Sequence, residues 1–299
     1  MSEDVSFILV TYSQGQVFAR SQEVLSNTFL QFSEENSEQG KFPRAISLRY
    51  SEDTIRLCSW YKNISDLKND AGYAGEIYYW AWKPHILLDV INNISKEGDI
   101  ILYCDSSRYD RRGFVEDPLV LFELMKREGY SILASGFSHY LLNSHSNLFS
   151  DGGIFKNCGE WSSFQSPHVV ASHLAIKNCD FSKEFLGEWS MMCRDHSLIK
   201  RNRVADQALL NVLIQKHKIP AINFTKVLSN KLLPHRDLKS INYVISSLKR
   251  QGEGVTIEFP GFSIAGYLLG WFWEGVRVLR RAFSRLKKQL SSLMSRRDA

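Results

Sequence analysis

At 299 residues, with 44% hydrophobic and 23% charged residues, the chain is long enough for one large globular domain or two small ones. Residues 277–299 hold eight basic residues and one acidic residue, a net charge of +7, so residues 1–276 have a net charge of −2. Because the net positive charge lies in this segment, the composition argues against a nucleic-acid-binding groove on the folded body.

The first half of the chain alternates predicted strands and helices. The patterns predict a strand at Val5–Tyr12, a helix at about Phe18–Phe32, a strand at Arg44–Tyr50, an extended piece at Ile55–Cys58, and a helix at Trp82–Ile94. Pro84 would lie in the first turn of that last helix, where a missing N–H does no harm. The apolar run Ile100–Cys104 is typical of a central parallel strand.

The second half continues the alternation and includes an irregular insertion. It predicts a helix at Pro118–Gly129, strands at Tyr130–Ser135 and Val169–Lys177, helices at Phe185–Arg194 and Ala205–Lys216, and a Ser-, Asn- and Gly-rich loop at His139–Trp161. Alternating strands and helices of this kind predict an α/β fold with a mixed sheet.

The C-terminal segment differs from the body of the chain. Phe259–Trp273 is apolar and aromatic but is shorter than the roughly 20 residues needed to span a bilayer. Apolar residues then recur at spacings of three and four between basic residues: Val276, Leu279, Phe283, Leu286, Leu290 and Leu293. This pattern is typical of a helix lying on an anionic membrane surface, through residues 259–297. It also fits a coiled-coil seam that would form a homo-oligomer. Because the polar side is almost entirely cationic, we favour the membrane.

Two compositional features bear on localisation. The five cysteines, Cys58, Cys104, Cys158, Cys179 and Cys193, are odd in number and have no metal-ligand spacing. We therefore expect reduced thiols in the cytoplasm. The start of the sequence lacks the pattern of a signal peptide. Together with the C-terminal pattern, these features predict a folded body at residues 1–245 and a membrane-association segment at 246–299, peripheral on the inner face of the membrane.

Asp105 is the first candidate site residue. It follows a buried strand, and open α/β sheets bind their ligands at the carboxyl ends of strands. A carboxylate there can hold a divalent cation that neutralises a diphosphate, or it can simply stabilise a turn. Ser107 occupies the position of a second carboxylate, and Asp110 is a possible substitute.

Three further segments carry polar groups suited to a phosphorylated sugar ligand. Lys83, beside Trp82 near a helix start, could contact phosphate, or it could be a surface lysine. Asp206 could cap a helix or face a reacting sugar together with Gln207. His235 and Arg236 could bind a metal and a phosphate, or they could be exposed loop residues.

The order of these motifs resembles a known family. The motifs are Trp80-Ala81-Trp82-Lys83-Pro84, then Gly98 to Asp105, then Ala171 to Asn178, then Asp206-Gln207 with Leu210-Asn211, and then a late histidine. The chain is similar to bacterial glycosyltransferases of the GT-A fold that act in polysaccharide biosynthesis and carry a Tyr-Trp-x-Trp-Lys-Pro motif. It is distantly similar to glycosyltransferase family 8. The resemblance covers roughly residues 5–240 and implies that residues 1–245 are a catalytic domain. Its fold would be a GT-A-like (Rossmann-like) mixed, mainly parallel sheet flanked by helices, plus the C-terminal amphipathic helical tail.

The resemblance implies a role for each candidate residue. Thr11 and Tyr12 would hold the nucleoside, and Lys83 would meet the phosphate or ribose of the donor. Trp82, Ser107 and Arg236 would complete the donor site. Asp105 and His235 would bind Mn²⁺ or Mg²⁺, although Ser107 replaces the second Asp of the family's Asp-x-Asp motif. Asp206 and Gln207 would lie near the donor sugar.

The predicted activity is transfer of a sugar from a nucleotide-sugar donor to a cell-surface glycan or a lipid-linked acceptor. The Asp-Gln match favours retention of anomeric configuration. An inverting enzyme would need a carboxylate base, for which Asp151 or Glu160 could serve. The alternatives are a non-catalytic, degenerate transferase that binds nucleotide or glycan at the membrane, and an oligomeric scaffold formed through the tail.

Overall fold

The computed structural model describes residues 5–37, 44–65, 76–106, 118–139, 167–195, 198 and 205–222. Within these residues the strands are β1 (Ser6–Ser13), β2 (Arg44–Ser51), β3 (Ile100–Asp105), β4 (Ile132–His139), β5 (Pro167–Lys177) and β6 (Ala221–Ile222). The helices are α1 (Gly15–Ser37), α2 (Glu52–Arg56), α3 (Lys62–Ser65), α4 (Glu76–Asn93), α5 (Pro118–Glu128), α6 (Asp180–Met192) and α7 (Ala205–Lys216), and a 3₁₀ turn covers Ser59–Tyr61.

The described strands form one sheet in the order β2-β1-β3-β5-β4-β6. β1 runs parallel to both β2 and β3, and β4 runs parallel to β6. β5 is antiparallel to its two neighbours, β3 and β4. The predicted mixed, mainly parallel sheet flanked by helices is therefore confirmed.

Helices cover both faces of the sheet because its central strands are apolar on both faces. In β1, Ile8 and Val10 face a core that α4, α6 and α7 complete, while Phe7 and Leu9 face a second core formed with α1 and α5. Alternate residues of a strand point to opposite faces, so a continuous apolar run such as Phe7–Val10 supplies both cores. Because both faces of the sheet are apolar, the ends of the strands are where polar side chains can cluster.

Two local predictions were wrong. The segment predicted to be extended at Ile55–Cys58 overlaps helix α2, which Ser51 and Thr54 cap reciprocally. Ser51 N–H donates to Thr54 Oγ1 at 2.6 Å, and Thr54 N–H donates to Ser51 Oγ at 3.3 Å. This capping box starts a helix where the short apolar run alone favours a strand. Pro84 lies inside α4 and not in its first turn, because the helix begins earlier than predicted.

Several predicted features lie outside the described residues, namely most of the irregular segment 139–161 and the whole C-terminal segment 246–299. Among the helices that are described, none combines the length and the apolar character that a membrane crossing requires.

His85 on α4 is a buried histidine. Its side chain is 5% exposed, and its ring stacks on Trp60 with the centroids 5.4 Å apart. Burial, and then the charge of Arg194, lower the pKa of His85 to about 4. The folded state therefore holds this imidazole neutral at pH values where an unfolded chain would protonate it.

This shift predicts a pH-dependent stability. Because the pKa of His85 is lower when folded than the unfolded value of about 6.5, its contribution is complete above pH 6.5 and declines as pH falls towards 4. We expect His85→Gln to flatten the stability profile in this window. Urea unfolding at half-unit pH steps measures it, with His173→Gln on β5 as a matched control. Equal slopes for the parent and His85→Gln would contradict the assignment.

Candidate functional site

The ammonium group of Lys83 is the centre of a buried charged cluster. The side chain of Lys83 is 2% exposed, and its Nζ lies 3.2 Å from Asp105 Oδ2 and 3.0 Å from Asp206 Oδ2. Nζ also donates to the main-chain oxygen of Ala171 at 3.3 Å. Lys83, Asp105 and Asp206 are hereafter called the lysine–carboxylate cluster. It brings together three residues that the sequence predicted for the site.

Four elements meet at this cluster. Lys83 comes from α4, Asp105 ends β3, Ala171 belongs to β5, and Asp206 stands in the first turn of α7. Asp105 is paired in register with Tyr12 of the parallel strand β1. The cluster therefore lies at the carboxyl edge of the parallel strands, where ligands bind in open α/β sheets.

Charge pairing keeps Lys83 protonated in spite of its burial. Burial acts to lower the pKa of Lys83, but Asp105 and Asp206 outweigh it, so the pKa is raised. Burial raises the pKa of Asp206, and Lys83 offsets this only in part. Two carboxylates thus share one ammonium group. Asp206 is more deeply buried than Asp105, so its charged form loses more hydration on folding.

Tyr103 adds a neutral donor to the cluster. Its hydroxyl group donates to Asp105 Oδ1, and burial, followed by Asp105, raises the pKa of Tyr103 well above 10. Both oxygens of Asp105 therefore have a partner, Tyr103 on one side and Lys83 on the other. The Asp105 side chain remains 21% exposed, whereas that of Asp206 is 1% exposed.

The two carboxylates differ in how well their hydrogen bonds are satisfied. The Asp206–Lys83 contact is a close ion pair without good hydrogen-bond alignment, and the main-chain N–H of Gln207 also interacts with the Asp206 carboxylate. Asp105, by contrast, accepts aligned hydrogen bonds on both oxygens. Asp105 thus presents a firmly held, partly exposed carboxylate, whereas the carboxylate of Asp206 is almost completely buried.

The predicted nucleoside-binding residues surround the end of β1. The rings of Tyr12 and Trp82 pack with centroids 3.9 Å apart, and both side chains are buried. Thr11 is fully buried, and its hydroxyl group donates to Leu48 O at 3.4 Å. Ser106 donates to the main-chain oxygen of Tyr12 and so fixes the strand end. Their part in binding a donor stays a prediction.

Other predicted residues are only partly accounted for. Gln207 follows Asp206 in α7 and is half-buried. Ser107, Asp151, His235 and Arg236 lie outside the described residues. Across the part of the chain that the structure describes, no three His, Cys, Asp or Glu side chains come together as a metal site would require. Asp105 fits the role of one cation ligand. Its carboxylate is partly exposed, and Mg²⁺ and Mn²⁺ prefer carboxylate oxygens as ligands.

Sequence reasoning missed Tyr103 and the main-chain oxygen of Ala171. A signal for Tyr103 was present, because residues i and i+2 of a strand share a face, which places Tyr103 beside Asp105. Ala171 carries no such signal, because its contribution is a carbonyl group.

Comparisons with solved structures give distant similarities, among them a xylosyltransferase and a galactosyltransferase. No protein-family model and no curated protein sequence matches this chain. Apo mouse xyloside xylosyltransferase 1 aligns with a TM-score of 0.46 and 9% identity, over 80% of this chain and 93% of its own. The galactosyltransferase LgtC, in complex with donor and acceptor sugar analogs, aligns with a TM-score of 0.37 and 15% identity, over 69% of this chain and 70% of its own. With TM-scores below 0.5, neither similarity supports a conclusion about this chain.

Removing the ammonium group tests the cluster. Lys83→Met leaves two carboxylates at a buried site without a counter-charge, and breaking a buried ion pair in this way costs about 3–5 kcal/mol. An unpaired buried acid has a raised pKa, so we expect the cost to shrink as pH falls from 7 to 5.

Denaturant unfolding of Lys83→Met and of Lys83→Met with Asp206→Asn checks this expectation. Asp206→Asn removes one of the two carboxylate charges that Lys83→Met leaves unpaired, so the double variant should recover part of the lost stability at pH 7. If Lys83→Met unfolds at the same denaturant concentration as the parent, the cluster is not an energetic unit.

Proposed function

We propose that this chain is a glycosyltransferase that moves a sugar from a nucleotide-sugar donor to a cell-surface glycan or a lipid-linked acceptor. The observation that carries the proposal is the lysine–carboxylate cluster at the carboxyl edge of the parallel strands. Its members belong to three motifs on which the family resemblance rests, and those motifs are far apart in the sequence.

The chemistry of sugar transfer suits such a cluster. The acceptor hydroxyl oxygen bonds to the anomeric carbon as the bond from that carbon to the diphosphate breaks. The bonding electrons leave with the nucleoside diphosphate, and the hydroxyl proton is released. Positive charge builds up at the sugar and negative charge at the leaving group, so fixed charges at both places lower the barrier.

Asp206 would act on the sugar side of this reaction. A buried carboxylate can stabilise an oxocarbenium-like sugar, because its charge is poorly screened. Gln207, the next residue of α7, would help to orient the sugar or the acceptor. A glutamine is a weak base, which favours a retaining reaction over an inverting one.

Asp105 would act on the diphosphate side. Asp105 and His235 would hold Mn²⁺ or Mg²⁺, which supplies positive charge to the diphosphate when bound. Lys83 would keep Asp105 fixed from the buried side, and Arg236 would add a further positive charge. Thr11, Tyr12, Trp82 and Ser107 would form the nucleoside and donor pocket.

A second candidate function has its own support. Both oxygens of Asp105 already accept hydrogen bonds, and Asp206 is almost completely buried. A cluster so well neutralised also suits a degenerate transferase, which would bind nucleotide or glycan without turnover. Binding and turnover must therefore be measured separately.

Turnover is tested with the full chain and a panel of UDP-, GDP-, CDP- and dTDP-linked sugars, with and without Mn²⁺. We expect one donor to be hydrolysed slowly, with water replacing the acceptor. Asp206→Asn should lower this rate by about 100-fold or more, because a charge that stabilises the transition state is lost. Asp180→Asn is the matched control, since the side chain of Asp180 is 97% exposed on α6.

Thermal shifts with the free nucleoside diphosphates complete the experiment. A melting temperature raised by one of them, without hydrolysis of any linked sugar, would favour the binding-only alternative. If no nucleoside diphosphate shifts the melting temperature of the parent, both functions fail.

Membrane association would come from residues 259–297, which lie outside the described residues. We expect the full chain to bind vesicles that contain phosphatidylserine. Reversing the charge of Arg280, Arg281, Lys287 and Lys288 to Glu should weaken binding roughly 1,000-fold, at about 1 kcal/mol for each basic residue.

A matched control reverses four exposed basic residues of the body to Glu: Arg20, Lys62, Lys96 and Lys126. Unchanged vesicle binding, with a lower mass in solution, would favour the oligomeric scaffold.

A further inference from the structure

Asn211 forms an unusual set of main-chain contacts near the lysine–carboxylate cluster. Its side chain is 1% exposed. Asn211 Oδ1 accepts from the Val169 N–H at 2.9 Å, and Asn211 Nδ2 donates to the Val169 oxygen at 2.9 Å. One amide thus pairs with both main-chain groups of a single β5 residue, as a neighbouring strand would.

The same amide also reaches the first turn of its own helix. Asn211 Nδ2 donates to the main-chain oxygen of Gln207 at 2.8 Å. From the side of α6, Trp189 Nε1 donates to the main-chain oxygen of Asp206 at 3.1 Å. Buried side-chain donors therefore hold two successive carbonyl groups of α7, those of Asp206 and Gln207.

These contacts fix the place of the Asp206 carboxylate relative to the sheet. Lys83 Nζ contacts the oxygen of Ala171 in β5, and Asn211 contacts Val169 of the same strand. The strand β5 is thus a common support for the ammonium group and for the helix turn that carries Asp206. A hydrogen-bonded amide resists displacement better than apolar packing, because moving it leaves buried polar groups unpaired.

We propose that Asn211 is a positioning residue, which holds the first turn of α7 on β5 so that Asp206 stays against Lys83 and faces the donor sugar. This inference rests on the proposed function for its catalytic consequence. Asn211 itself touches none of the charged groups in the contacts described, so its effect on the reaction would pass through Asp206.

The chain offers a matched control in Asn178. Its side chain is 2% exposed, and its amide also holds main-chain oxygens, those of Ile91 and Ser95 at the end of α4. Asn178 follows β5 beside the amino end of β3, because Lys177 pairs with Ile100. Asp105 lies at the other, carboxyl end of β3. Asn178 is therefore a buried asparagine of similar structural role on the far side from the site.

The test compares Asn211→Asp with Asn178→Asp in the full chain. Each substitution keeps the side-chain shape and removes the amide donors. For donor hydrolysis we expect Asn211→Asp to lower kcat by about 10- to 100-fold with KM within about twofold, as for a misplaced catalytic group. Asn178→Asp should lower the melting temperature but leave kcat near the parent value. Equal effects of the two substitutions on kcat would overturn the proposal. Asn211→Ser, which keeps a small donor, replaces Asn211→Asp if that variant does not fold.

A second measurement separates this inference from the proposed function. If the parent hydrolyses no donor, the proposed function fails, and a double-mutant cycle on unfolding decides about Asn211. Positioning predicts that Asn211→Ser and Asp206→Asn are non-additive, whereas Asn178→Ser and Asp206→Asn are additive. Additive effects in both cycles would overturn the positioning role.

Discussion

The structure depends on the neutralisation of one buried ammonium group. Lys83 lies in the apolar core between the sheet and α4, where an unpaired charge would be very costly. Two carboxylates and a carbonyl group compensate for its burial, and they come from β3, α7 and β5. A shift of any of these elements would leave a charge without a partner, so the ion pairs favour the observed docking arrangement. Apolar packing alone would tolerate more variation.

The reversed strand β5 makes this arrangement possible. Because β5 runs antiparallel to β3, its first half lies beside the carboxyl end of β3, and Cys104 pairs with His173. Ala171 and Val169 therefore stand at the edge where Asp105 ends its strand. The chain then returns along β5 to α6, and α7 packs back against β5, which brings Asp206 to the same edge. One reversal places residues from distant motifs around Lys83.

Much of the fold could be predicted from the sequence, because apolar runs and helical periodicity are local signals. Strand β3 and helix α7 were predicted almost to the residue, since turn signals or charged residues flank each of them. The short apolar run at Ile55–Cys58 predicts an extended segment, whereas the capping box of Ser51 and Thr54 starts helix α2 just before it. The direction of β5 could not be predicted, since both directions present the same alternation of faces.

The candidate site was predictable as a set of residues but not as a network. Chemistry that suits a phosphorylated sugar predicts Lys83, Asp105 and Asp206, and the contact of Lys83 with a donor stays a prediction. In the structure its ammonium group is enclosed by two carboxylates. Pairing across the fold changes what a lysine can do, since a buried lysine that already neutralises two acids has little charge left for a ligand.

The burial of Lys83 affects which groups of the site could bind a diphosphate. If Lys83 supports the carboxylates from the buried side, positive charge for a diphosphate must come from groups on the exposed side of Asp105. The carboxylate of Asp105 then has two environments, a buried one fixed by Lys83 and Tyr103 and an exposed one open to a ligand. A carboxylate held in this way loses little freedom when a ligand binds, which is the advantage of preorganisation. In the proposed reaction Lys83 would thus contribute through geometry, by holding the two carboxylates in place from the buried side.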